Sequence, residues 1–148
     1  MADLARNRKA FHDYEVTETI EAGIALVGTE VKSCRGHNVN LGDGYATVEE
    51  GEVMLHHVHI SPYDKAHRDN HDPMRPRRLL LHKSEIRKLV AATRQKGMTL
   101  IPLAVYLKGP RIKVALGVCR GKSHADKRET LKRKDDERQM RQAVRRKG

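Results

Sequence analysis

The sequence has no tryptophan, one phenylalanine (Phe11) and four tyrosines among its 148 residues. So few rings exclude a broad aromatic pocket for an organic cofactor, and none is expected. Long hydrophobic runs are missing as well. The longest, Leu79-Leu80-Leu81 and the interrupted stretch from Met98 to Val105, fall far short of the roughly 20 apolar residues of a membrane helix, so no membrane partner is expected. The first residues, Met-Ala-Asp-Leu-Ala-Arg-Asn-Arg-Lys, contain no apolar segment of a secretory signal. Two cysteines, Cys34 and Cys119, cannot make a disulfide framework, and a reduced, cytoplasmic setting is expected. Catalytic signatures are absent too. There is no Gly-x-Ser-x-Gly elbow and no His-Glu-x-x-His pair. The run Gly117-Val-Cys-Arg-Gly121-Lys122-Ser123 spaces its glycines by three residues, where a phosphate loop needs four.

What the chain has in abundance is positive charge. Lysine and arginine number 30 against 19 acids, a net charge of +11, which calls for a polyanionic partner. The surplus is uneven: from Gly121 to Gly148 there are eleven cations and five acids, and only Leu131, Met140 and Val144 are large and apolar. The charge pattern divides the chain into a folded body, residues 1–121, and a basic tail, residues 122–148. Asp126 and Glu129 are spaced as a capping box, and Glu129–Arg133 and Glu137–Arg141 are favourable i,i+4 pairs. Without a wide apolar stripe, the tail is expected to be disordered when free and helical on a polyanion.

The body reads as short alternating strands. Tyr14 to Leu26 forms one, with Gly23 as a bend or bulge. Tyr45–Glu49 and Glu52–Ile60 flank a turn at Glu50-Gly51, and Leu100–Leu107 and Ile112–Val118 flank Gly109-Pro110. A helix is predicted over Glu85–Lys96 with Ser84 as its cap, and a shorter one over Glu30–Arg35 between Thr29 and Gly36. Cys34 falls on the apolar face of that shorter helix. The stretch 61–76, with three prolines, reads as a loop. Strands spaced by turns with one helix before the last hairpin predict a small antiparallel barrel of the oligonucleotide-binding kind.

Nine histidines raise the question of a metal. His57 and His59 would share a strand face and His67 and His71 lie four apart, but no cysteine joins them, and exposed or phosphate-contacting histidines are the simpler reading. The basic surface is the stronger candidate. Asn7, Arg8, Lys9, His12 and Tyr14 cluster near the N-terminus, with Arg35, Arg75, Arg77, Arg78 and Lys113 as further cations. Such a surface suits RNA loops. Glu21 stands out, since an acid there repels phosphate. It either accepts hydrogen bonds from a base edge or pairs with a neighbouring lysine.

Seven segments, in order, carry a resemblance. They are Glu21-Ala-Gly23, Gly28-Thr-Glu-Val-Lys-Ser33, His59-Ile-Ser-Pro62, Asn70-His-Asp-Pro73, Arg78-Leu-Leu-Leu-His82, Gly117 to Lys122, and Asp126-Lys-Arg128. Across residues 6–146 the chain resembles the SsrA-binding proteins, also called small protein B, which bind transfer-messenger RNA (tmRNA) in bacterial trans-translation. The resemblance implies a non-enzymatic adaptor that holds the transfer-RNA-like domain of tmRNA, promotes its aminoacylation and delivers it to stalled ribosomes. Alanyl-tRNA synthetase and elongation factor Tu would be met only through that RNA. It implies Glu21, Leu80 and Lys113 on the RNA-binding surface, which with Asn7, His12, Tyr14, Arg35, Arg120 and Lys122 completes the candidate RNA-binding set. It implies that Asp126, Lys127, Arg128, Lys132 and Lys134 belong to a tail that enters the empty messenger channel and meets small-subunit ribosomal RNA at the decoding centre. Three positions depart from the family's usual pattern: Phe11 where a basic residue is common, Cys34 in place of a leucine, and Ala125 where an aromatic or histidine is frequent, with His124 one place earlier.

Overall fold

Ile112, Val114, Leu116 and Val118 alternate with smaller or polar residues, and all four are buried in the fold they build. The structure, a computed structural model, describes residues 3–64 and 70–122. The expected tail residues Asp126, Lys127, Arg128, Lys132 and Lys134 lie outside the described residues. In chain order the elements are β1 (Asp3–Arg6), α1 (Arg8–Asp13), β2 (Tyr14–Ile24), α2 (Gly28–Arg35), β3 (Val39–Asn40), β4 (Tyr45–Glu49), β5 (Glu52–His56), β6 (His59–Ile60), β7 (Arg77–Leu80), α3 (Lys83–Thr93), β8 (Met98–Lys108) and β9 (Arg111–Gly121).

The fold is mainly β. Seven antiparallel strands run in the order β1-β8-β4-β5-β7-β2-β9, and β9 pairs back onto β8, so six of them form a ring with β1 appended to β8. Strand β8 serves two neighbours on one edge: Leu100 pairs with Ala46 of β4, and Ala104 to Tyr106 pair with β1. Between these stretches Pro102 has no N–H to offer, and on the other edge the register against β9 shifts between Pro102 and Ala104. Asn7 closes this joint. Its backbone N–H donates to Leu103 O at 2.8 Å, and its side-chain amide donates to Pro102 O at 3.0 Å and Leu41 O at 3.2 Å. Its Oδ1 accepts from Ala10 N and caps α1.

Val53, Leu55, Leu79, Leu100, Val105, Val114, Leu116 and Val118 form one apolar cluster, which α3 covers with Leu89 and α2 with Cys34. Each such side chain contributes about 1.5–3 kcal/mol of burial free energy. A second, smaller cluster of Ala10, Ile101, Leu103 and Cys119 seats α1 on the other face of β8 and β9. Burial pushes both thiols, Cys34 and Cys119, up to about 11, so neither is a thiolate nucleophile at neutral pH.

Four local expectations change. The hairpin strand after Gly51 stops at His56. His57 has φ 58°, and His59 starts β6 in a separate two-stranded sheet, so His57 and His59 do not share one strand. Gly23 is not a bulge, since it pairs regularly with both Leu80 and Lys113; the irregularity in β2 lies between Val16 and Glu18. Both helices start two residues early. Val27 N donates to Glu30 Oε1 at 3.0 Å, and His82 N donates to Glu85 Oε1 at 2.9 Å. The N-terminal carboxylates therefore hold the first turns in place of the expected hydroxyl caps, Thr29 and Ser84. Arg77, expected among the surface cations, is completely buried against Glu30, which is equally buried. Its Nε donates to Glu30 Oε2 at 2.6 Å and its Nη1 to Val58 O at 2.6 Å. Arg75 donates to the same carboxylate through Nε and Nη2. Burial alone would raise the Glu30 pKa, but Arg75, the Val27 N–H and Arg77 overcome it and hold the group below its ordinary range.

Candidate nucleic-acid interface

Strand β2 lies between β7 and β9, and Gly23 is flanked by Leu80 on one side and Lys113 on the other. Glu21 precedes Gly23 by two residues, so the two share a face of the pleat. The missing side chain at Gly23 makes a floor. An added Cβ there would lie 3.1 Å from Leu80 Cβ. Glu21, Leu80 and Lys113 thus line one cleft of about 810 Å³, together with His82, Glu85 and Arg111. Leu80 presents an exposed apolar side chain, 47% accessible, next to the charged groups.

Glu21 is not bare. Tyr106 Oη donates to its Oε2 at 2.5 Å, and Lys108 Nζ donates to its Oε1 at 2.9 Å. The Tyr106 hydrogen bond, then that of Lys108, holds the Glu21 carboxyl below its ordinary value of 4.5. Burial and the adjacent Glu21 push the Tyr106 phenol up, so it remains a donor. The carboxylate is therefore fixed in orientation and charged at neutral pH, with lone pairs left to accept from a ligand. Lysine pairing, one of the two alternatives raised by the sequence, is present. It does not consume the group.

Tyr106 and Lys108 were missed by sequence reasoning. The signal was in the turn: with Gly109-Pro110 at its tip, the hairpin register sets Tyr106 opposite Lys113 and Lys108 opposite Arg111. That places a ring and a cation beside the position of Glu21.

The remaining expected site residues do not join this cleft. Arg35 reaches its edge, with Nη2 3.4 Å from Pro110 O. Tyr14, His12, Arg120 and Lys122 sit at the far end of β2 and β9. Arg120 is seven positions from Lys113, roughly 23 Å along an extended strand. There Tyr14 pairs with Gly121 and Glu15 with Arg120. His12 Nδ1 is 2.8 Å from Asp13 Oδ1, and Lys122 donates from its backbone N to Asp13 O and from Nζ to Phe11 O. Asn7 is 2% accessible and its amide is spent on the β8 joint, so its place is in the scaffold. The expected site residues thus fall into two patches towards opposite ends of the long strands.

No group of three His, Cys, Asp or Glu is placed to hold a metal among the described residues. His71 uses one ring nitrogen on Thr29 Oγ1 at 2.9 Å and the other on Ile60 O at 2.8 Å. Also among the described residues, no helix is long and apolar enough to cross a membrane.

Fold and site together define a class: a ring of antiparallel strands whose basic rim carries one oriented carboxylate beside an exposed apolar side chain. The profile of the family described as SmpB protein matches residues 4–146. The chain belongs to that family. It is similar to the SsrA-binding proteins of Clostridium perfringens (strain 13 / Type A), with 57% identity over 93% of this chain and 88% of the relative. With that of Geobacillus thermodenitrificans (strain NG80-2) it shares 54% over 96% and 92%. With that of Bacillus subtilis (strain 168) it shares 53% over 96% and 91%. Among solved structures, a chain described as "tmRNA-SmpB: a journey to the center of the bacterial ribosome" superposes with a TM-score of 0.69 at 47% identity, covering 86% of this chain and 93% of that one.

Proposed function

We propose that this protein binds the transfer-RNA-like domain of tmRNA and brings it to stalled ribosomes for trans-translation. The observation that carries the reading is the convergence of Glu21, Leu80 and Lys113 on one cleft in a chain of net charge +11. Lys113 and Arg111 attract phosphate, which sets affinity but not sequence preference. Glu21, held ionised and fixed, accepts from an exposed amino or imino edge, and Leu80 packs on an unstacked base.

In this reading the strand ring is a barrel of the oligonucleotide-binding type and residues 1–121 are the RNA-binding unit. Residues 122–148 are the ribosome-facing tail, with Asp126, Lys127, Arg128, Lys132 and Lys134 probing the vacant messenger channel and decoding centre. A channel free of messenger accepts a cationic segment and an occupied one excludes it, so the protein discriminates by fit and carries out no chemistry of its own. It promotes aminoacylation by holding the RNA, and meets alanyl-tRNA synthetase and elongation factor Tu through it, in the bacterial cytoplasm. The far patch of His12, Tyr14, Arg120 and Lys122 is a second contact with ribosomal RNA or tmRNA.

The test is a titration of the wild type and Glu21→Ala against the transfer-RNA-like half of tmRNA and an ordinary transfer RNA, across a salt series. The cognate RNA is expected to win by roughly 1–3 kcal/mol, a margin that Glu21→Ala erases. Equal binding of both RNAs, collapsing together with salt, would reduce the body to a basic surface.

A further inference from the structure

We propose that a second cleft, beside the one that holds Glu21, seats a single unpaired nucleotide of the bound RNA, with its base against Phe11 and its phosphate on Arg8. This rests on the RNA-binding reading above and extends it to a site that Glu21, Leu80 and Lys113 do not form. The cleft measures about 560 Å³ and is lined by Arg8, Phe11, Thr19, Ala104, Tyr106 and Ala115, with the Asp3–Arg6 pair at its margin.

Three features give it this occupant. The first is the ring. Phe11 is the only phenylalanine of the chain, and it stands 44% exposed. It is also rigidly presented: α1 is capped by Asn7 at its start and tied at its end by Lys122 Nζ on Phe11 O at 3.2 Å. An exposed ring on a fixed element loses little freedom when a base stacks on it. The floor between Phe11 and Tyr106 comes from three strands and sets the small side chains of Thr19, Ala104 and Ala115 beside buried Leu103, which leaves room for a planar group. The second is charge. Arg6 Nε is 2.5 Å from Asp3 Oδ2, so the acid at the margin is paired with a cation, and exposed Arg8 is the cation that a phosphate would meet. The third is continuity. Tyr106 lines this cleft while its hydroxyl bonds Glu21 in the other, so one strand of RNA can pass from the carboxylate to the ring without leaving the surface. A base has a π-face whatever its identity, so the seat tolerates any nucleotide.

The experiment uses the full chain and the transfer-RNA-like half of tmRNA. Dissociation constants are measured across salt for the wild type, Phe11→Ala, Phe11→Tyr, Arg8→Gln and Glu21→Ala, with thermal unfolding as the control for folding. Phe11→Ala is expected to weaken binding about tenfold with an unchanged salt slope, and Phe11→Tyr to restore it. Arg8→Gln is expected to weaken binding and to lower the salt slope by about 0.7–0.9. RNA carrying 4-thiouridine at its unpaired loop positions should crosslink to the peptide that contains Phe11, a readout that does not depend on any variant folding. Wild-type affinity for Phe11→Ala, together with loss for Glu21→Ala, overturns the seat and leaves the RNA-binding reading intact. So does a Phe11→Ala chain that binds RNA normally but no longer binds ribosomes, since the ring would then face another partner. Wild-type affinity for both Phe11→Ala and Glu21→Ala overturns the two together.

Discussion

Glu21 keeps its charge through two donors on β8, reached across β9, and Tyr106 is the stronger influence of the two. Binding that needs an ionised Glu21 is complete above its pKa and is lost as the pH falls through it. The Tyr106 hydroxyl holds that pKa below 4.5. Tyr106→Phe removes the hydroxyl and keeps the ring, so the pKa rises and the acid limb of RNA binding moves to higher pH. Lys108 and Lys113 also face the carboxylate and favour its charged form. Titrations from neutral pH downward on both proteins test this, and superimposable curves would remove Tyr106 from the site. Glu30 obeys the same sign with a different consequence. Its depressed pKa gives stability that is present above 4.5 and fades as the pH falls through the lower folded value. Glu30→Ala leaves Arg77 buried without its counter-charge and should cost about 3–5 kcal/mol, read from the midpoint of denaturant unfolding. Glu30→Gln should lose the acid dependence of that midpoint as well.

Among the elements, the join of β2 and β7 decides the shape of the cleft. Gly23→Ala puts a methyl group 3.1 Å from Leu80 Cβ. The strand pair must give by a few tenths of an ångström, and Leu80 moves with it. The expected result is RNA affinity reduced several-fold with a stability loss of about 1–2 kcal/mol, as for mild overpacking. Unchanged affinity in a normally folded variant would mean that the placement of Leu80 is not used. The legibility of the elements followed the range of their causes. The β8–β9 hairpin could be read because its two-residue periodicity and its Gly109-Pro110 turn are local. So could most of α3 and α2, from their apolar spacing, and the β4–β5 turn. Strand β7 could not, since Arg77 reads as surface charge until Glu30, 47 positions away, meets it. Helix α1 is six residues long, too short for a helical period, and depends on a single asparagine cap. The site divided in the same way. Glu21 was conspicuous as an acid in a basic chain, while its partner Tyr106 lies 85 positions away and shows only through the hairpin register.

At the scale of the whole molecule, the charge separates two kinds of contact. Of the net +11, a surplus of six lies between Gly121 and Gly148, beyond the last rung of β9. Lys122, the first residue of the basic segment, is tied to the body: its backbone N donates to Asp13 O at 3.0 Å and its Nζ to Phe11 O. A chain cut after Lys122 therefore keeps every strand pairing found among the described residues and the tie that holds α1. It should retain its preference for the transfer-RNA-like half of tmRNA, since Glu21, Leu80 and Lys113 are untouched. Its salt dependence should be shallower only insofar as the tail touches that RNA. Peptide tagging on stalled ribosomes should be abolished, because the segment that would enter the messenger channel is gone. Lys113→Ala is the complementary variant, expected to weaken RNA binding with the tail intact. Two assays side by side, RNA affinity and tagging, separate the roles. If truncation and Lys113→Ala lose RNA affinity equally, body and tail form one continuous electrostatic surface, and the division at residue 122 fails.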